Sequence, residues 1–223
     1  IRDRHETIYY PNKIKQIIGR LNTQNLLEKE EREAVETITE LIEYYKGIFT
    51  ILSSCAARQL EEVTFRRTTI PVQELFDAAG KYFRKVMKNR MEKIELIMEP
   101  MEAKVIGDVN QLRFLFENLI DEALAVHEEG VIRLQARKDN EYVRFLFTDT
   151  RREKSVTELN QLFYPNLARM TSGEKGELRG PEYLICKQII RDHDEFAGRR
   201  GCRINAEPAE GGGFTVYFTI PRR

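Results

Sequence analysis

The chain has 223 residues, and its 36 lysines and arginines are balanced by 36 aspartates and glutamates. Because the net charge is zero, we expect no general electrostatic attraction to nucleic acid or to a membrane surface. Hydrophobic residues make up 41% of the chain, as in ordered globular proteins, and no apolar run approaches the roughly 18 residues of a membrane helix.

The cysteines Cys55, Cys186 and Cys202 lie in different segments and have no paired spacing. We therefore expect reduced thiols in a cytosolic compartment, with neither a disulfide framework nor a zinc site. The chain shows no signal peptide and begins at Ile1 without a methionine. We expect a cytoplasmic fragment of a longer protein, in which any membrane anchor or sensor domain lies upstream.

Residues 1–64 predict two helices joined by a short polar loop at residues 22–25. Apolar residues in the second helix alternate at spacings of three and four, which is typical of a helical bundle. An antiparallel hairpin of this kind leaves apolar surface uncovered, and pairing with a second copy would cover it in a four-helix bundle. We therefore predict a homodimerisation domain, whose apolar positions are Ile14, Ile17, Ile18, Leu21, Val35, Ile38, Ile42, Tyr45, Phe49, Leu52 and Ala56.

His5 and Glu6 lie near the start of the first predicted helix, and Pro11 follows six residues after the histidine. Taken alone, the pair is typical of exposed surface residues, and the proline would begin or kink the helix. Any functional interpretation of His5 therefore depends on the rest of the chain.

Residues 65–223 predict a second domain in which helices and strands are interleaved. Pro71 suits the first turn of a helix, and strands are expected at residues 93–98, 103–106, 132–136, 143–147, 202–206 and 214–220, the later ones with period-two alternation. An irregular polar span is expected at residues 149–180, followed by a helix through residues 183–190. This order predicts an α+β sandwich, a mixed sheet with helices on one face.

The strongest helical pattern lies in residues 107–129. Its apolar residues follow the spacing of one buried face, with Asp108 as the expected N-cap and Gly130 as the expected stop. Asn118 and Glu122 lie one turn apart on the polar face, which by itself predicts a solvated acidic surface.

Four segments carry a family resemblance. DVNQLRFLFENLIDEA (108–123) is similar to an asparagine-box helix with Asn118 in register, and FLFTDTRRE places Asp149 at the end of a strand, before a loop that is usually glycine-rich. LRGPEYLICKQIIRDH contains Gly180, Lys187 and His193 in register with a second glycine-rich motif, and GGGFTVYFTIP is similar to the family's closing strand.

Together with His5-Glu6, these segments resemble the cytoplasmic core of a two-component sensor histidine kinase. The resemblance covers essentially the whole chain. It implies an antiparallel phosphoacceptor hairpin (residues 1–64) followed by a Bergerat-type (GHKL) ATPase domain (residues 65–223). It further implies that Asn118, Asp149 and Gly180 would bind ATP with Mg²⁺, Asp149 reading the adenine amino group, and that a receiver domain of a response regulator is a partner.

The sequence departs from the family pattern at positions that contact phosphate. Glu122 replaces the second asparagine of the box, and a carboxylate there repels phosphate. Arg151 and Glu153 replace two glycines after Asp149, and Leu178 and Glu182 replace two glycines of the other loop, so that close backbone approach to a nucleotide is lost. We therefore expect no cofactor, with ATP and Mg²⁺ used only if the site is functional.

Three functions remain open. In the first, the neutral imidazole of His5 exchanges a phosphoryl group with a receiver-domain aspartate while Glu6 orients the ring or takes its proton. In the second, the chain is an ATP-dependent autokinase in which Arg151, Arg152 or Lys175 supplies the missing donors. In the third, it is a non-catalytic dimeric signal transmitter. His127 and His193 are interpreted as structural residues.

Overall fold

The computed structural model of the chain describes residues 65–88, 90–126, 128–164 and 182–223, together with Lys13, Ile14, Glu31, Ala34, Val35, Ile38 and Ile42. The stretches Phe65–Pro165 and Glu182–Arg223 form one compact unit. Apart from those seven residues, the predicted hairpin and its dimer seam lie outside the described residues, and so do His5, Glu6, His127, Lys175 and Gly180. These predictions, together with the division into domains 1–64 and 65–223, stay predictions.

In chain order the elements of the described unit are β1 (Thr68–Pro71), α1 (Val72–Met87), β2 (Ile94–Glu99), β3 (Lys104–Gly107), α2 (Val109–Leu124), β4 (Gly130–Asp139), β5 (Tyr142–Asp149), α3 (Val156–Gln161), α4 (Glu182–Phe196), β6 (Ile204–Pro208) and β7 (Phe214–Pro221). A mixed five-stranded sheet with order β2-β4-β5-β7-β6 forms the centre of this unit. Strand β2 is parallel to β4, and the other neighbours are antiparallel, which confirms the expected α+β class. A separate antiparallel ribbon joins β1 to β3.

Aromatic rings join the helices to one face of the sheet. Phe116 of α2 lies with its ring centroid 5.8 Å from that of Phe145 in β5, which stacks at 5.0 Å on Phe218 of β7. Phe76 of α1 completes this cluster. Each ring is essentially buried, and burial of a side chain of this size contributes about 1.5–3 kcal/mol. The apolar face predicted for α1 is also confirmed, since its members Val72, Leu75, Phe76, Ala79 and Phe83 are all buried.

Several element boundaries differ from the sequence prediction. Helix α2 ends at Leu124, and Gly130 opens β4 with a φ of 140° instead of stopping the helix. Residues 68–71 form β1, so that Pro71 lies at the N-cap of α1 and not within its first turn. The span expected to be irregular contains α3, which a reciprocal capping box of Ser155 and Glu158 begins.

Asp108 caps α2 as predicted. Its side chain accepts hydrogen bonds from the backbone N–H groups of Asn110 and Gln111 at 3.0 and 3.2 Å, and also from that of Arg66 at 2.8 Å. The carboxylate therefore satisfies two of the free N–H groups at the helix start and anchors the segment before β1.

His193 lies buried between α4 and the start of α2, in agreement with its structural interpretation. Its Nδ1 lies 2.8 Å from the carbonyl oxygen of Ile189, and its Nε2 lies 3.1 Å from the backbone nitrogen of Asp108. Because a carbonyl only accepts and an N–H only donates, the neutral ring carries its proton on Nδ1. A side chain at Gly107 would place its Cβ 2.7 Å from this ring, so a glycine is required there.

None of the helices in the described part of the chain combines the length and the apolar character that crossing a bilayer requires.

The buried state of His193 predicts a pH-dependent contribution to stability. Burial lowers the pKa of His193 in the folded protein, against smaller opposing effects of the Ile189 carbonyl and Asp108. Between the two pKa values the unfolded chain binds more protons, so stability rises with pH there. The contribution is present above the unfolded pKa of about 6.5 and is lost as the pH falls below it, by up to about 1.4 kcal/mol per pH unit.

We therefore expect the difference in unfolding free energy between the wild type and His193→Gln to shrink as the pH is lowered from about 7.5 to about 5. Urea denaturation at a series of pH values measures this difference. A difference that stays constant or grows on acidification contradicts the assignment.

Candidate functional site

Two polar residues of α2, Asn118 and Glu122, point into the protein. Asn118 and Glu122 are only 7% and 8% exposed, so the solvated acidic surface that the helix pattern alone predicts is wrong for both. The Asn118 amide donates a hydrogen bond to the carbonyl of Phe114 at 2.6 Å. A buried glutamate needs compensation of its charge, and the loop after β5 provides a positive charge near Glu122.

Asp149 is the last residue of β5 and lies on the core-facing side of the sheet. The strand alternates so that Val143, Phe145, Phe147 and Asp149 share this side, and Asp149 pairs in register with Ile132 of β4 and Phe214 of β7. Its exposure is 1%. The strand therefore delivers a carboxylate into an apolar environment, where it is stable only if it is paired.

Two arginines from the loop that follows β5 supply the pairing. Arg151 binds the carboxylate in a fork, with Nε 2.8 Å from Oδ1 and Nη2 3.0 Å from Oδ2, and its backbone N–H donates to Oδ1 at 3.1 Å. Arg152 Nε donates to Oδ2 at 3.1 Å. These four hydrogen bonds account for the roughly four acceptor positions of a carboxylate, so Asp149 is saturated.

Arg152 also connects Asp149 to the buried acid of α2. Its Nη1 lies 3.7 Å from Glu122 Oε1, and its guanidinium lies 5.7 Å from the ring centroid of Phe214. Burial by itself lowers the pKa of Arg152, but Tyr183, Asp149 and Glu122 together raise it. Two carboxylates and two guanidinium groups thus form a charge-balanced cluster, here called the arginine–carboxylate cluster (Glu122, Asp149, Arg151 and Arg152).

The same arginines donate hydrogen bonds to carbonyl groups in the last turn of α2, which itself contains no basic residue. Nη2 of Arg151 donates to the carbonyl of Ala123 at 2.6 Å, and Nη2 of Arg152 donates to that of Glu122 at 3.3 Å. Arg90, from the segment before β2, donates to the carbonyl of Leu124 at 2.6 Å. Positive charge at these free carbonyls opposes the negative end of the helix dipole. The three arginines therefore stabilise the C-terminal end of α2.

Two polar residues of α4 contact neighbouring segments. Lys187, which lies in the second glycine-rich motif, donates to the carbonyl of Phe163 at 3.2 Å, and its ammonium lies 3.6 Å from the ring centroid of Tyr164. Asp194 accepts hydrogen bonds from the N–H groups of Gly201 and Cys202. Both side chains therefore connect α4 to neighbouring segments.

Of the predicted nucleotide-binding residues, Asn118 and Asp149 are described. The resemblance assigns the adenine amino group to Asp149, but Arg151 and Arg152 already occupy the acceptor positions of that carboxylate. The sequence predicts Arg151 as the replacement of a glycine and both arginines as possible donors in an autokinase, and it does not predict their pairing with Asp149. The presence of two buried acids, at positions 122 and 149, is the signal that would have indicated their pairing.

Comparison with known proteins connects this geometry to a family. A family model described as "Histidine kinase-, DNA gyrase B-, and HSP90-like ATPase" matches residues 107–223, slightly more than half of the chain. No curated protein sequence matches.

Solved structures with a similar fold include histidine kinases. The Acinetobacter baumannii histidine kinase AdeS has a TM-score of 0.58 and 13% identity, with 97% of each chain covered. The mycobacterial sensor histidine kinase MprB has a TM-score of 0.53 and 19% identity, with 71% of this chain and 99% of that chain covered. Histidine kinase ThkA, in complex with response regulator protein TrrA, has a TM-score of 0.57 and 20% identity, with 100% of this chain and 60% of that chain covered. At these identities the likeness shows the fold alone.

Removal of one member of the arginine–carboxylate cluster should be costly. Arg151→Met leaves the buried Asp149 without its bidentate partner, and we expect a loss of about 3–5 kcal/mol in unfolding free energy. Arg144→Met is the matched control, because Arg144 pairs with Asp139 on the surface, where the side chains are 42% and 30% exposed. We expect the control to cost about 0–1 kcal/mol. Urea denaturation of the two variants measures both values, and equal losses contradict the assignment.

A double substitution separates the loss of a partner from the loss of packing. Asp149→Leu combined with Arg151→Met removes both charges, and we expect it to be more stable than Arg151→Met alone. A double variant that is no more stable than Arg151→Met contradicts this expectation.

Proposed function

Because this chain belongs to the histidine kinase-, DNA gyrase B- and HSP90-like ATPase family, we propose that it is a histidine kinase-like module of two-component signal transduction that makes little or no use of ATP. In this proposal residues 1–64 form the dimerising hairpin and His5 exchanges a phosphoryl group with a receiver-domain aspartate. Residues 65–223 form an ATPase-like domain that no longer depends on a nucleotide.

The observation that carries the proposal is the saturation of Asp149. The Asp149–Arg151 pair is almost inaccessible, with both side chains 1% exposed. An adenine amino group would have to displace a cationic, bidentate fork from a carboxylate, and it would return a single hydrogen bond from a neutral donor, which is weaker. Nucleotide binding would therefore begin with a loss that the ordinary family site does not incur.

The second acid of the cluster opposes the phosphates. Glu122 replaces the asparagine that in the resembling family helps to hold the triphosphate and its Mg²⁺. Its charge is already compensated by Arg152, so recruitment of this carboxylate as a metal ligand would take from a buried arginine one of its two carboxylate partners.

The chemistry proposed for His5 needs no nucleotide. A neutral imidazole nitrogen attacks the phosphorus of a receiver acyl phosphate, the P–O bond to the aspartate breaks, and the carboxylate leaves. Glu6 takes the proton from the other ring nitrogen or orients that N–H. The transfer reverses through the same steps, so phosphorus and protons balance without ATP.

The proposed partners are a second copy of the chain and a response-regulator receiver domain. Histidine kinase ThkA forms a crystallised complex with a response regulator protein, which supports a partner of this class. We propose a cytoplasmic location, no nucleic-acid partner, and membrane association only through segments upstream of this sequence.

Labelling experiments test the proposed transfer. We expect the chain to take up radiolabel from a phosphorylated receiver domain, and His5→Ala to abolish this uptake while leaving the circular dichroism spectrum unchanged. Label taken from radiolabelled ATP in the absence of a receiver would instead favour the atypical autokinase. Absence of label from both donors would favour the non-catalytic transmitter, and either result would overturn the proposal.

Thermal unfolding tests the nucleotide directly. A ligand at a hundred times its dissociation constant stabilises a protein by about 2.7 kcal/mol, which raises the melting temperature by roughly 5–10 °C for a chain of this size. We expect millimolar ATP with Mg²⁺ to leave the melting temperature of the wild type unchanged, as measured by calorimetry. An increase of several degrees that depends on Mg²⁺ would contradict the proposed loss of ATP use.

A further inference from the structure

The Arg151 guanidinium is surrounded by acceptors from three separate segments. The Asp149 carboxylate lies 2.8 and 3.0 Å from Nε and Nη2, the carbonyl of Ala123 lies 2.6 Å from Nη2, and the carbonyl of Glu128 lies 3.0 Å from Nη1. Four of the five N–H donors of the guanidinium are therefore used. A planar fork matches these acceptors, whereas the point charge of an ammonium group would not reach them all.

The surroundings are shaped around this side chain. A Cβ built on Gly130 would lie 2.8 Å from Arg151 Cγ, so the stem of the arginine lies directly against bare backbone at the start of β4. The Arg151 side chain is 1% exposed. The acceptors and the backbone at Gly130 together enclose the Arg151 side chain, in a space that fits one monosubstituted guanidinium.

The positions of two acceptor residues, Asp149 and Ala123, are also fixed by contacts that do not involve Arg151. Asp149 is fixed by its register between β4 and β7, and Ala123 is buried in the last turn of α2. Arg152 keeps its own contact with Asp149, so one positive charge remains near the carboxylate even without Arg151. These elements constitute a binding site and not merely an ion pair.

We propose that the domain contains a binding site for guanidinium cations, formed by the Asp149 carboxylate and the Ala123 and Glu128 carbonyls, and that Arg151 is its permanently tethered ligand. This inference rests on the proposed absence of ATP from the pocket. The inference specifies the chemical class of the ligand, a monosubstituted guanidinium. Arg151 takes the place of a diffusible ligand and holds the end of α2 to the end of β5.

Chemical rescue tests the site in the full 223-residue chain. Arg151→Ala removes a fragment that corresponds to ethylguanidinium, so this cation is the probe. We expect the variant to melt at a lower temperature than the wild type, and millimolar ethylguanidinium to restore at least half of the loss. Ethylammonium, which has the charge without the fork, and ethylurea, which has the shape without the charge, should restore none of it.

Two further proteins serve as controls. In the wild type the site is filled, and in Arg144→Ala the vacated partner Asp139 lies at the surface, so ethylguanidinium should raise the melting temperature of neither. Failure of ethylguanidinium to stabilise Arg151→Ala, or equal stabilisation of Arg144→Ala, overturns the inference.

A variant that does not fold still gives a decisive result. If Arg151→Ala is unfolded in buffer, recovery of its folded circular dichroism spectrum with ethylguanidinium but not with ethylammonium supports the site, and recovery with neither overturns it. The outcome is separable from that of the proposed function. Binding of Mg²⁺·ATP by the wild type would remove the proposed function, whereas a failed rescue in a wild type that ignores ATP removes only this inference.

Discussion

A buried carboxylate at the end of a core strand is the constraint on which the site depends. Desolvation of an ion costs several kcal/mol even after relaxation, so Asp149 must have a partner wherever this strand is packed into the sheet. In the family that the chain resembles, the corresponding aspartate reads an adenine. Here the partners are Arg151 and Arg152, two and three residues further along the chain. The position of the acid in the fold is retained, and the group that satisfies it has changed.

Because each arginine has several donors, the pairing of Asp149 at the end of β5 also involves the end of α2. Arg151 and Arg152 neutralise acids and at the same time bind the last carbonyls of α2. Glu122 belongs to the same arrangement, since its charge balances the second guanidinium. The residues at positions 122, 151 and 152 are thus a mutually compensating set. Considered together, they pair buried acids with buried arginines and so form a charge-balanced interior.

Much of the fold was predictable from the sequence, because apolar periodicity reports burial directly. The buried face of α1, the cap at Asp108 and the alternation in β4 and β5 follow from that relation. The errors have physical causes too. Helix α3 depends on the capping box of Ser155 and Glu158 and not on a long apolar face, and β1 is a short strand in which only Ile70 is buried.

The site was only partly predictable. Asp149 and Glu122 were found through motif register, which gives the position of a residue along an element. Register does not indicate where a long side chain from a loop will reach, and so the arginines were considered as donors to phosphate instead of as partners of these acids. The demand for charge balance among buried residues would have supplied the missing step.

The compensating set restricts how such a domain can change over evolutionary time. Reversion of position 151 to glycine would deprive Asp149 of its fork, and reversion of position 122 to asparagine would leave Arg152 with less negative charge around it. Each of these single substitutions is therefore expected to lower the stability of the domain. The side chains at positions 122, 151 and 152 constrain one another, so that a substitution at one position is tolerated only with a matching substitution at another.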